Sequence, residues 1–197
     1  MHWGAFFMMI KIVAIVNLIY FLWCIINGGD IMKKIDLNAI SIRNQLLPGD
    51  LGYVASLHGE LYAKEYGYGL DHEAYVLSGM GEFGHAYDAE EDRIWMCEQE
   101  GRRVGFLLAL HRPDAVQLRY FILLPEYRGI GLGKKLMTEF IAFMDQRGVK
   151  HAYLWTTDEL HAAISLYTRF GFTLTEEKPS NAFGKPIVER RYDLHLA

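Results

Sequence analysis

Cysteine is scarce in this chain of 197 residues, which contains two. Cys24 lies in an apolar N-terminal run and Cys97 lies in a predicted strand, and neither context gives a reason to pair them. The sequence therefore offers no disulfide framework, and it favours a reducing, cytoplasmic setting.

A basic excess and metal-ligand motifs are also missing. The net charge is −4 and the pI is about 6.1, whereas a nucleic-acid-binding domain usually has a pI above about 9. We therefore expect no nucleic-acid partner. The 8 histidines and 2 cysteines show no recognisable ligand spacing, so the sequence predicts no metal site.

The remaining composition is that of a globular protein. Hydrophobic residues make up 51% and charged residues 22%, which is ordinary usage once an apolar N-terminus is set aside. No internal repeat or interdomain linker is present. Because a domain typically has about 100 to 200 residues, we predict an apolar segment over residues 1–31 and a single domain over residues 32–197.

Residues 5–26 are almost wholly apolar, with Lys11 and Asn17 as interruptions. About 20 such residues can span a bilayer as a helix, so the run is typical of a membrane anchor. A secretory signal fits worse, because the run is long and no Ala-x-Ala-like site follows it. Lys33 and Lys34 follow the run, and the positive-inside rule would hold the next domain at the inner face of the membrane.

A start-codon artefact is the alternative explanation of this segment. Met32 opens a stretch typical of a bacterial N-terminus. Residues 28–30, Gly-Gly-Asp, must be encoded by a purine-rich string where a ribosome-binding site would lie. Residues 1–31 are thus either an anchor or translated leader sequence, and a membrane partner is expected only in the first case.

The order of predicted elements indicates an α+β fold. A turn over residues 47–50 ends in Asp50 as the N-cap of a first helix, and Asp71 can cap a second. Hydrophobic periodicity then predicts strands over residues 93–100, 104–110 and 115–124, a helix closed by Gly148, a strand over 151–156, a helix over 158–169, and strands over 172–176 and 188–196. This mixture of helices and strands is typical of one mixed sheet.

A glycine-rich turn joins a predicted strand to the helix that Gly148 closes. Gly129, Gly131 and Gly133 let backbone N–H groups approach an anion, and the helix N-terminus adds about half a positive charge. The turn does not fit the dinucleotide fingerprint, which needs Gly-x-Gly-x-x-Gly after an early strand and an acidic residue about 20 positions on. It does not fit the P-loop, which ends in Gly-Lys-Ser/Thr, because Gly133 is followed by two lysines. We predict an anion-binding loop; a tight turn packed against the sheet is the alternative.

Two segments resemble one known family. Residues 128–133 match the Arg/Gln-x-x-Gly-x-Gly/Ala signature of GNAT N-acetyltransferases, and residues 163–172 resemble the family's Ala-x-x-Leu-Tyr-x-x-x-Gly-Phe block. The resemblance covers roughly residues 46–196. Residues 51–70 and 181–185 resemble more closely the acetyltransferase domain of bacterial proteins that fuse a MarR-type winged helix to a GNAT domain. This chain has no room for that winged helix, so no DNA-binding function is carried over.

The resemblance implies a fold, a reaction and a set of site residues. The fold is a mixed, mostly antiparallel sheet with helices on both faces and two splayed parallel strands. The reaction is direct transfer of an acetyl group from acetyl-CoA, as cosubstrate, to a primary amine of a small molecule or peptide. The residues implied to bind the cofactor are Phe121, Ile122 and Leu123 along the pantetheine arm, and Arg128, Gly129, Ile130, Gly131, Leu132, Gly133 and Lys134 around the pyrophosphate.

Two groups are implied to be catalytic. Tyr167 matches the family tyrosine that protonates the departing thiolate, since a phenol of pKa near 10 can protonate a thiolate of pKa near 8.5. The backbone N–H of Leu123 would stabilise the oxyanion. Tyr167 also shares a helical face with Leu160 and Ala163, so a purely structural role in the core is the alternative.

The sequence leaves the general base and the acceptor pocket open. A water chain, Glu98, Glu100 or His111 could act as the general base, and a solvated surface role is expected for each of these side chains. Leu160 occupies the place of a family asparagine, for which Thr156, Thr157 or Asp158 could substitute. His58, Tyr62 and Tyr66 are candidates for the acceptor pocket, although packing is the favoured explanation. The alternative to an enzyme is a non-catalytic acyl-CoA-binding module, and a homodimer is left open.

Overall fold

Seven strands form one sheet in the computed structural model, which describes residues 35–196. The strands are β1 (Ser41–Arg43), β2 (Arg93–Gln99), β3 (Arg102–Arg112), β4 (Ala115–Leu123), β5 (His151–Thr157), β6 (Thr173–Ser180) and β7 (Ile187–His195). The helices of this region are α1 (Asp50–Tyr66), α2 (Leu70–Ala86), α3 (Leu132–Gln146) and α4 (His161–Arg169).

The strands lie in the order β1-β2-β3-β4-β5-β7-β6. β4 and β5 run parallel, and the other neighbouring strands pair antiparallel. A right-handed crossover is the usual way to join two parallel strands, and α3 provides the helix of this connection. The predicted α+β fold with a mixed, mostly antiparallel sheet is therefore confirmed.

The core occupies both faces of the sheet because side chains alternate along its strands. On one face, Val54 of α1 and Val76 of α2 pack in a cluster with Ile94 of β2. On the other face, the Trp95 ring lies 6.3 Å from the ring of Phe140 in α3. The predicted placement of helices on both faces is confirmed.

The start of α1 differs from the prediction. Its N-cap is Gly49, which has φ 91, and Asp50 is the first helical residue. The Asp50 carboxylate is almost fully buried and pairs with Arg43 at 2.8 Å and with Arg103 at 3.2 Å. Burial by itself would raise the pKa of Asp50, but its hydrogen bonds, foremost the one from Arg43, hold the pKa below its ordinary value. Asp50 therefore joins β1 and β3 to the helix.

The N-terminal run over residues 5–26, predicted as an anchor or as translated leader sequence, lies outside the described residues. Within residues 35–196, every helix is too short or too polar to cross a bilayer.

Candidate active site

The sheet opens between its two parallel strands. The register of β4 with β5 pairs Gln117 with Tyr153 and ends where Leu118 meets Leu154. β4 nevertheless continues to Leu123, and β5 continues to Thr157. The two strands therefore part over their last residues and leave an open backbone edge on each, as the resemblance implied.

A β-bulge lies in the parted section of β4. The register with β3 shifts between Phe106 and Leu108, and Tyr120 has a φ of 53 in the left-handed region. This conformation costs a non-glycine residue on the order of 1 kcal/mol. Bulges bend a strand and redirect its side chains, so the bulge contributes to the parting of β4 from β5.

The backbone of Leu123 faces the open side of β4. Leu124 N–H donates to the carbonyl of Val104 on the β3 side at 2.9 Å. Because successive N–H groups of a strand point to opposite sides, the N–H of Leu123 points toward the gap. This orientation suits the predicted oxyanion donor, whose catalytic role stays a prediction.

The glycine-rich turn forms the N-terminus of α3. Gly129 has φ 74, and Gly131, the N-cap, has φ 97, so both need the freedom of glycine. The N–H of Lys135 donates to Gly131 at 3.0 Å, while helix geometry leaves the preceding N–H groups, those of Leu132, Gly133 and Lys134, without an intrahelical acceptor. These groups and the helix dipole suit an anion.

Gly133 has a different function in the same turn. A Cβ atom on Gly133 would lie 3.3 Å from Leu166 of α4 and 3.8 Å from both Phe121 and Leu123 of β4. Its missing side chain therefore lets α3 pack closely against its neighbours. The packing explanation therefore holds for Gly133, while anion binding by the N-terminal amides of α3 stays a prediction.

The side chain of Arg128 is held within the protein. Its guanidinium donates to the carbonyl of Leu123 at 3.0 Å and to Glu65 of α1 at 2.8 Å, and its backbone N–H donates to Pro125 at 3.1 Å. These bonds tie the end of β4 to α1 and set the start of the loop. A contact of Arg128 with the cofactor stays a prediction.

Tyr167 of α4 is both a core residue and a wall of the site. Its ring is 6.4 Å from that of Phe121 and 6.1 Å from that of Phe172, and the residue is 5% exposed. Burial raises the pKa of the Tyr167 hydroxyl above its ordinary value, so the phenol keeps its proton at neutral pH. Tyr167 is thus packed in the core and lines the cavity, and its role as a proton donor stays a prediction.

A cavity of about 130 Å³ lies where the strands part. Leu118 and Phe121 of β4, Trp155 of β5, Leu160 and Tyr167 form part of its wall. Helices α1 and α2 and the segment before β7 also contribute to the wall. The cavity therefore lies beside the open strand edge and extends toward the first two helices.

Aromatic rings and imidazoles line the side of the cavity away from β5. His72 of α2 lies 4.9 Å from Tyr62, 5.1 Å from Tyr68 and 4.8 Å from Phe183 between ring centroids. His58 and Tyr62 pack as predicted, but they also line the cavity. Packing and pocket formation are thus one arrangement, whereas local sequence patterns gave no signal for His72 or Phe183.

Both histidines of this wall are buried and neutral. Burial lowers the pKa of His58 and of His72 to about 4. The His58 ring donates from Nδ1 to the carbonyl of Val54 at 2.8 Å. The Nδ1 atom of His72 is buried and has no hydrogen-bond partner among residues 35–196. At neutral pH these rings therefore add no positive charge to the cavity.

The three side chains considered as general bases lie elsewhere. Glu98 of β2 pairs with Arg43 at 2.7 Å, His111 lies 3.4 Å from Glu91, and Glu100 is in the turn between β2 and β3. The described cavity wall includes none of these bases. β2 and β3 lie on the side of β4 away from β5 in the strand order, which sequence periodicity alone does not show.

The suggested substitutes for the family asparagine lie at the end of β5 and just after it. Thr157 shares a 2.6 Å hydrogen bond with the hydroxyl of Tyr68, and Asp158 accepts from the N–H of Val188 at 3.1 Å. Thr156 and Leu160 line the cavity. Of the three substitutes, Thr156 therefore lines the cavity and has a side chain that makes no hydrogen bond within residues 35–196. Residues 35–196 contain no cluster of three or more metal-ligating side chains.

Comparisons with known proteins agree with this geometry. An uncharacterised N-acetyltransferase of Methanocaldococcus jannaschii is 30% identical over 128 residues, which cover 60% of this chain and 55% of the relative. An uncharacterised N-acetyltransferase of Escherichia coli K12 is 33% identical over 114 residues, which cover 55% of this chain and 68% of the relative. The match thus spans about half of the archaeal relative's length.

Solved structures share the fold at low identity. The Salmonella typhimurium protein yncA, solved with its cofactor acetyl-CoA, has a TM-score of 0.61 at 18% identity and covers 81% of this chain and 95% of its own. The ribosomal-protein-S18-alanine N-acetyltransferase of E. coli has a TM-score of 0.59 at 22% identity and covers 80% of this chain and 94% of its own.

The family model described as acetyltransferase (GNAT) family matches residues 58–172. This stretch is more than half of the chain, and it includes the parted strands, the glycine-rich turn and Tyr167. The chain therefore belongs to the acetyltransferase (GNAT) family.

Proposed function

We propose that this protein transfers the acetyl group of acetyl-CoA directly to a primary amine of a small molecule or peptide. The observation that carries the proposal is the parting of β4 from β5 beyond Leu118 and Leu154. It leaves an open strand edge between a glycine-rich helix N-terminus and a cavity walled by Tyr167. The shared fold with yncA, which was solved with acetyl-CoA, supports the cosubstrate.

The described residues fit acetyl-CoA at two places. The N–H groups of Leu132, Gly133 and Lys134 suit the pyrophosphate, because they lack intrahelical acceptors and lie at the positive end of α3. The open edge of β4 over residues 121–123 suits the amides of the pantetheine arm, which would extend the sheet by hydrogen bonding. Arg128 supports this arrangement by holding the carbonyl of Leu123.

The protein would supply an oxyanion donor and a proton donor for this reaction. Acetyl-CoA supplies a thioester carbonyl and a thiolate leaving group. The Leu123 N–H is oriented to stabilise the developing oxyanion, and Tyr167 would donate its phenolic proton to the thiolate. The buried His58 and His72 are weak proton acceptors because of their low pKa. We therefore assign removal of the amine proton to water that enters the cavity.

Thermal melting of the full chain with and without acetyl-CoA, followed by thiol release across a panel of amines and peptides, tests the proposal. A ligand that binds the native state selectively raises the melting temperature. Stabilisation with acceptor-dependent thiol release is the expected result. Stabilisation without release would favour the non-catalytic acyl-CoA-binding module, and no stabilisation would contradict the cosubstrate assignment.

Several finer assignments belong to this proposal. The E. coli relative that acetylates an alanine of ribosomal protein S18 supports a peptide amine as one acceptor class. A cytoplasmic location, with anchoring at the inner membrane face if residues 5–26 are translated, is proposed from the sequence. Similarity to the acetyltransferase domain of MarR-type fusion proteins and a homodimeric state stay predictions, as does the division into residues 1–31 and 32–197.

A further inference from the structure

The bulge in β4 turns two consecutive side chains toward the same helix. Arg119 donates to the hydroxyl of Tyr75 in α2 at 3.1 Å, and its guanidinium lies 4.6 Å from the ring centroid of Tyr120. Both side chains also reach Gly79 of α2. In a regular strand, neighbouring side chains point to opposite faces. The bulge therefore brings the Arg119 guanidinium to the α2 side of the cavity, which it lines.

Arg119 has no carboxylate partner within residues 35–196. Its contacts there are the hydrogen bond to Tyr75 and the faces of two tyrosine rings. The carboxylate that also lines the cavity, Glu189, pairs with Lys178 at 3.3 Å. Arginine is enriched where planar anions are bound, because its guanidinium matches carboxylate geometry. A cavity-wall guanidinium that has no carboxylate partner among residues 35–196 therefore points to an anionic group on the ligand.

Two buried polar atoms of residues that line this cavity have no hydrogen-bond partner among residues 35–196. These atoms are the hydroxyl of Tyr120, a residue that is 8% exposed, and Nδ1 of His72, which is 4% exposed. Buried polar groups are nearly always hydrogen-bonded, and exceptions require an explanation. Both residues line the same cavity as Arg119. A polar ligand in this cavity would provide a partner for Nδ1 of His72, for which residues 35–196 provide none, whereas the Tyr120 hydroxyl lies against Gly79 of α2.

Aromatic rings line the side of the cavity formed by α1, α2 and the segment before β7. A continuous set of ring contacts, with centroids 4.8 to 5.8 Å apart, joins Tyr62, Tyr68, His72 and Phe183. Ring faces of this kind suit an apolar or aromatic body, with a few polar groups fixing its orientation. Within residues 35–196, the cavity wall thus combines these rings with the Arg119 guanidinium, which has no carboxylate partner there.

We propose that Arg119 binds a carboxylate of the acceptor, and that the acceptor is an α-amino acid with an apolar or aromatic side chain. This inference rests on the proposed N-acetyltransferase function. The carboxylate accepts hydrogen bonds from Arg119, and the side chain packs on the rings of α1, α2 and the segment before β7. The amino group, one carbon away from the carboxylate, is left free to attack the thioester.

Matched acceptor pairs that differ only in the carboxylate test this inference. Thiol release is measured with the full chain for L-phenylalanine against 2-phenylethylamine and for L-leucine against 3-methylbutylamine. A charge-assisted hydrogen-bonded pair contributes a ~10- to 100-fold preference. We therefore expect kcat/KM to favour the amino acids by that factor, Arg119→Gln to abolish the preference, and Arg119→Lys to restore part of it.

Binding of two N-acetylated product compounds tests recognition of the carboxylate without a catalytic step, and a remote variant controls for effects on folding. Calorimetry compares N-acetyl-L-phenylalanine with N-acetyl-2-phenylethylamine on wild type, on Arg119→Gln and on Arg147→Gln, a control remote from the cavity that pairs with Glu91. Selective binding that only Arg119→Gln loses supports the inference. Equal binding of both compounds by wild type, or equal kcat/KM within each pair, would overturn it while leaving the acetyltransferase intact. Failure of acetyl-CoA to stabilise the chain would instead count against the proposed function.

Discussion

The hydroxyl of Tyr120 lies directly against the backbone of Gly79, so that a Cβ atom built on Gly79 would be 2.0 Å from it. Tyr120 is the residue with positive φ in the β4 bulge, and Gly79 is a buried position of α2. The missing side chain of one glycine therefore makes room for the bulged strand. This contact links the shape of the cavity to α2.

Substitution of Gly79 tests the contact between Tyr120 and α2. We expect Gly79→Ala to lower the free energy of unfolding by about 1 to 3 kcal/mol, the usual cost of overpacking a core, and to lower the rate of acetyl transfer because Tyr120 must move. Gly81→Ala is the matched control in the same helix, since nothing lies within 4 Å of its Cβ position. It should stabilise by about 0.5 to 1 kcal/mol. Urea unfolding measures both, and similar effects of the two substitutions would argue against the contact.

Two glycine-to-alanine substitutions with a similar backbone cost test whether the glycine-rich turn binds acetyl-CoA. Gly131→Ala and Gly148→Ala both place a Cβ at positive φ, 97 and 66, and both should cost about 1 kcal/mol of stability. Only Gly131 precedes the N-terminal amides of α3. We expect Gly131→Ala to weaken acetyl-CoA binding at least tenfold in calorimetry and Gly148→Ala to leave it unchanged. Equal affinities in the two variants would count against the loop as the pyrophosphate site.

Stability should fall as the pH is lowered through the histidine range. Burial depresses the pKa of His58 and His72 to about 4 in the folded state, against about 6.5 in an unfolded chain. The unfolded state then binds more protons between these values, so stability is full above about pH 6.5 and is lost toward pH 4. The shift at His58 corresponds to roughly 3 kcal/mol.

Urea unfolding from pH 4.5 to 7.5 measures this slope. The variant His72→Phe removes one of the two groups, so its free energy of unfolding should depend less on pH than that of wild type. The control is His85→Gln, an exposed position in the same helix. A slope in His72→Phe as steep as in the control would show that His72 is not buried as a neutral ring.

Features encoded in short segments were predictable from the sequence. The glycine-rich turn was recognisable because residues 128–133 carry a local spacing, and the buried stripe of α3 was visible at helical periodicity. Helical spacing in the sequence predicts a buried stripe of five residues in α3, and the prediction fails for one of them, because Ile141 is half-buried and Phe143 is buried instead. The four confirmed members are Leu136, Met137, Phe140 and Met144. The parting of β4 from β5 was implied by family resemblance and not by any property of either strand.

Features that depend on distant contacts were missed. β1 has only three residues, which is too few for a periodic pattern. The role of Arg43 in this strand depends on its ion pairs with Asp50 and Glu98, which are distant in sequence or lie on other elements. The position of Arg119 depends on a bulge, which is a property of strand pairing. His72 and Phe183 meet across more than 100 positions in sequence. No pattern within one segment indicates such a convergence.

Acceptor-dependent thiol release by Tyr167→Phe, measured together with acetyl-CoA affinity, tests the central claim most directly. Phenylalanine preserves the packing of this buried ring, and Tyr192→Phe, at a buried position of β7, is the control. Loss of a general acid should reduce kcat on the order of 100-fold with little change in acetyl-CoA binding, while the control retains the wild-type rate. A Tyr167→Phe variant that releases thiol as fast as wild type would contradict the assignment of Tyr167 as the proton donor.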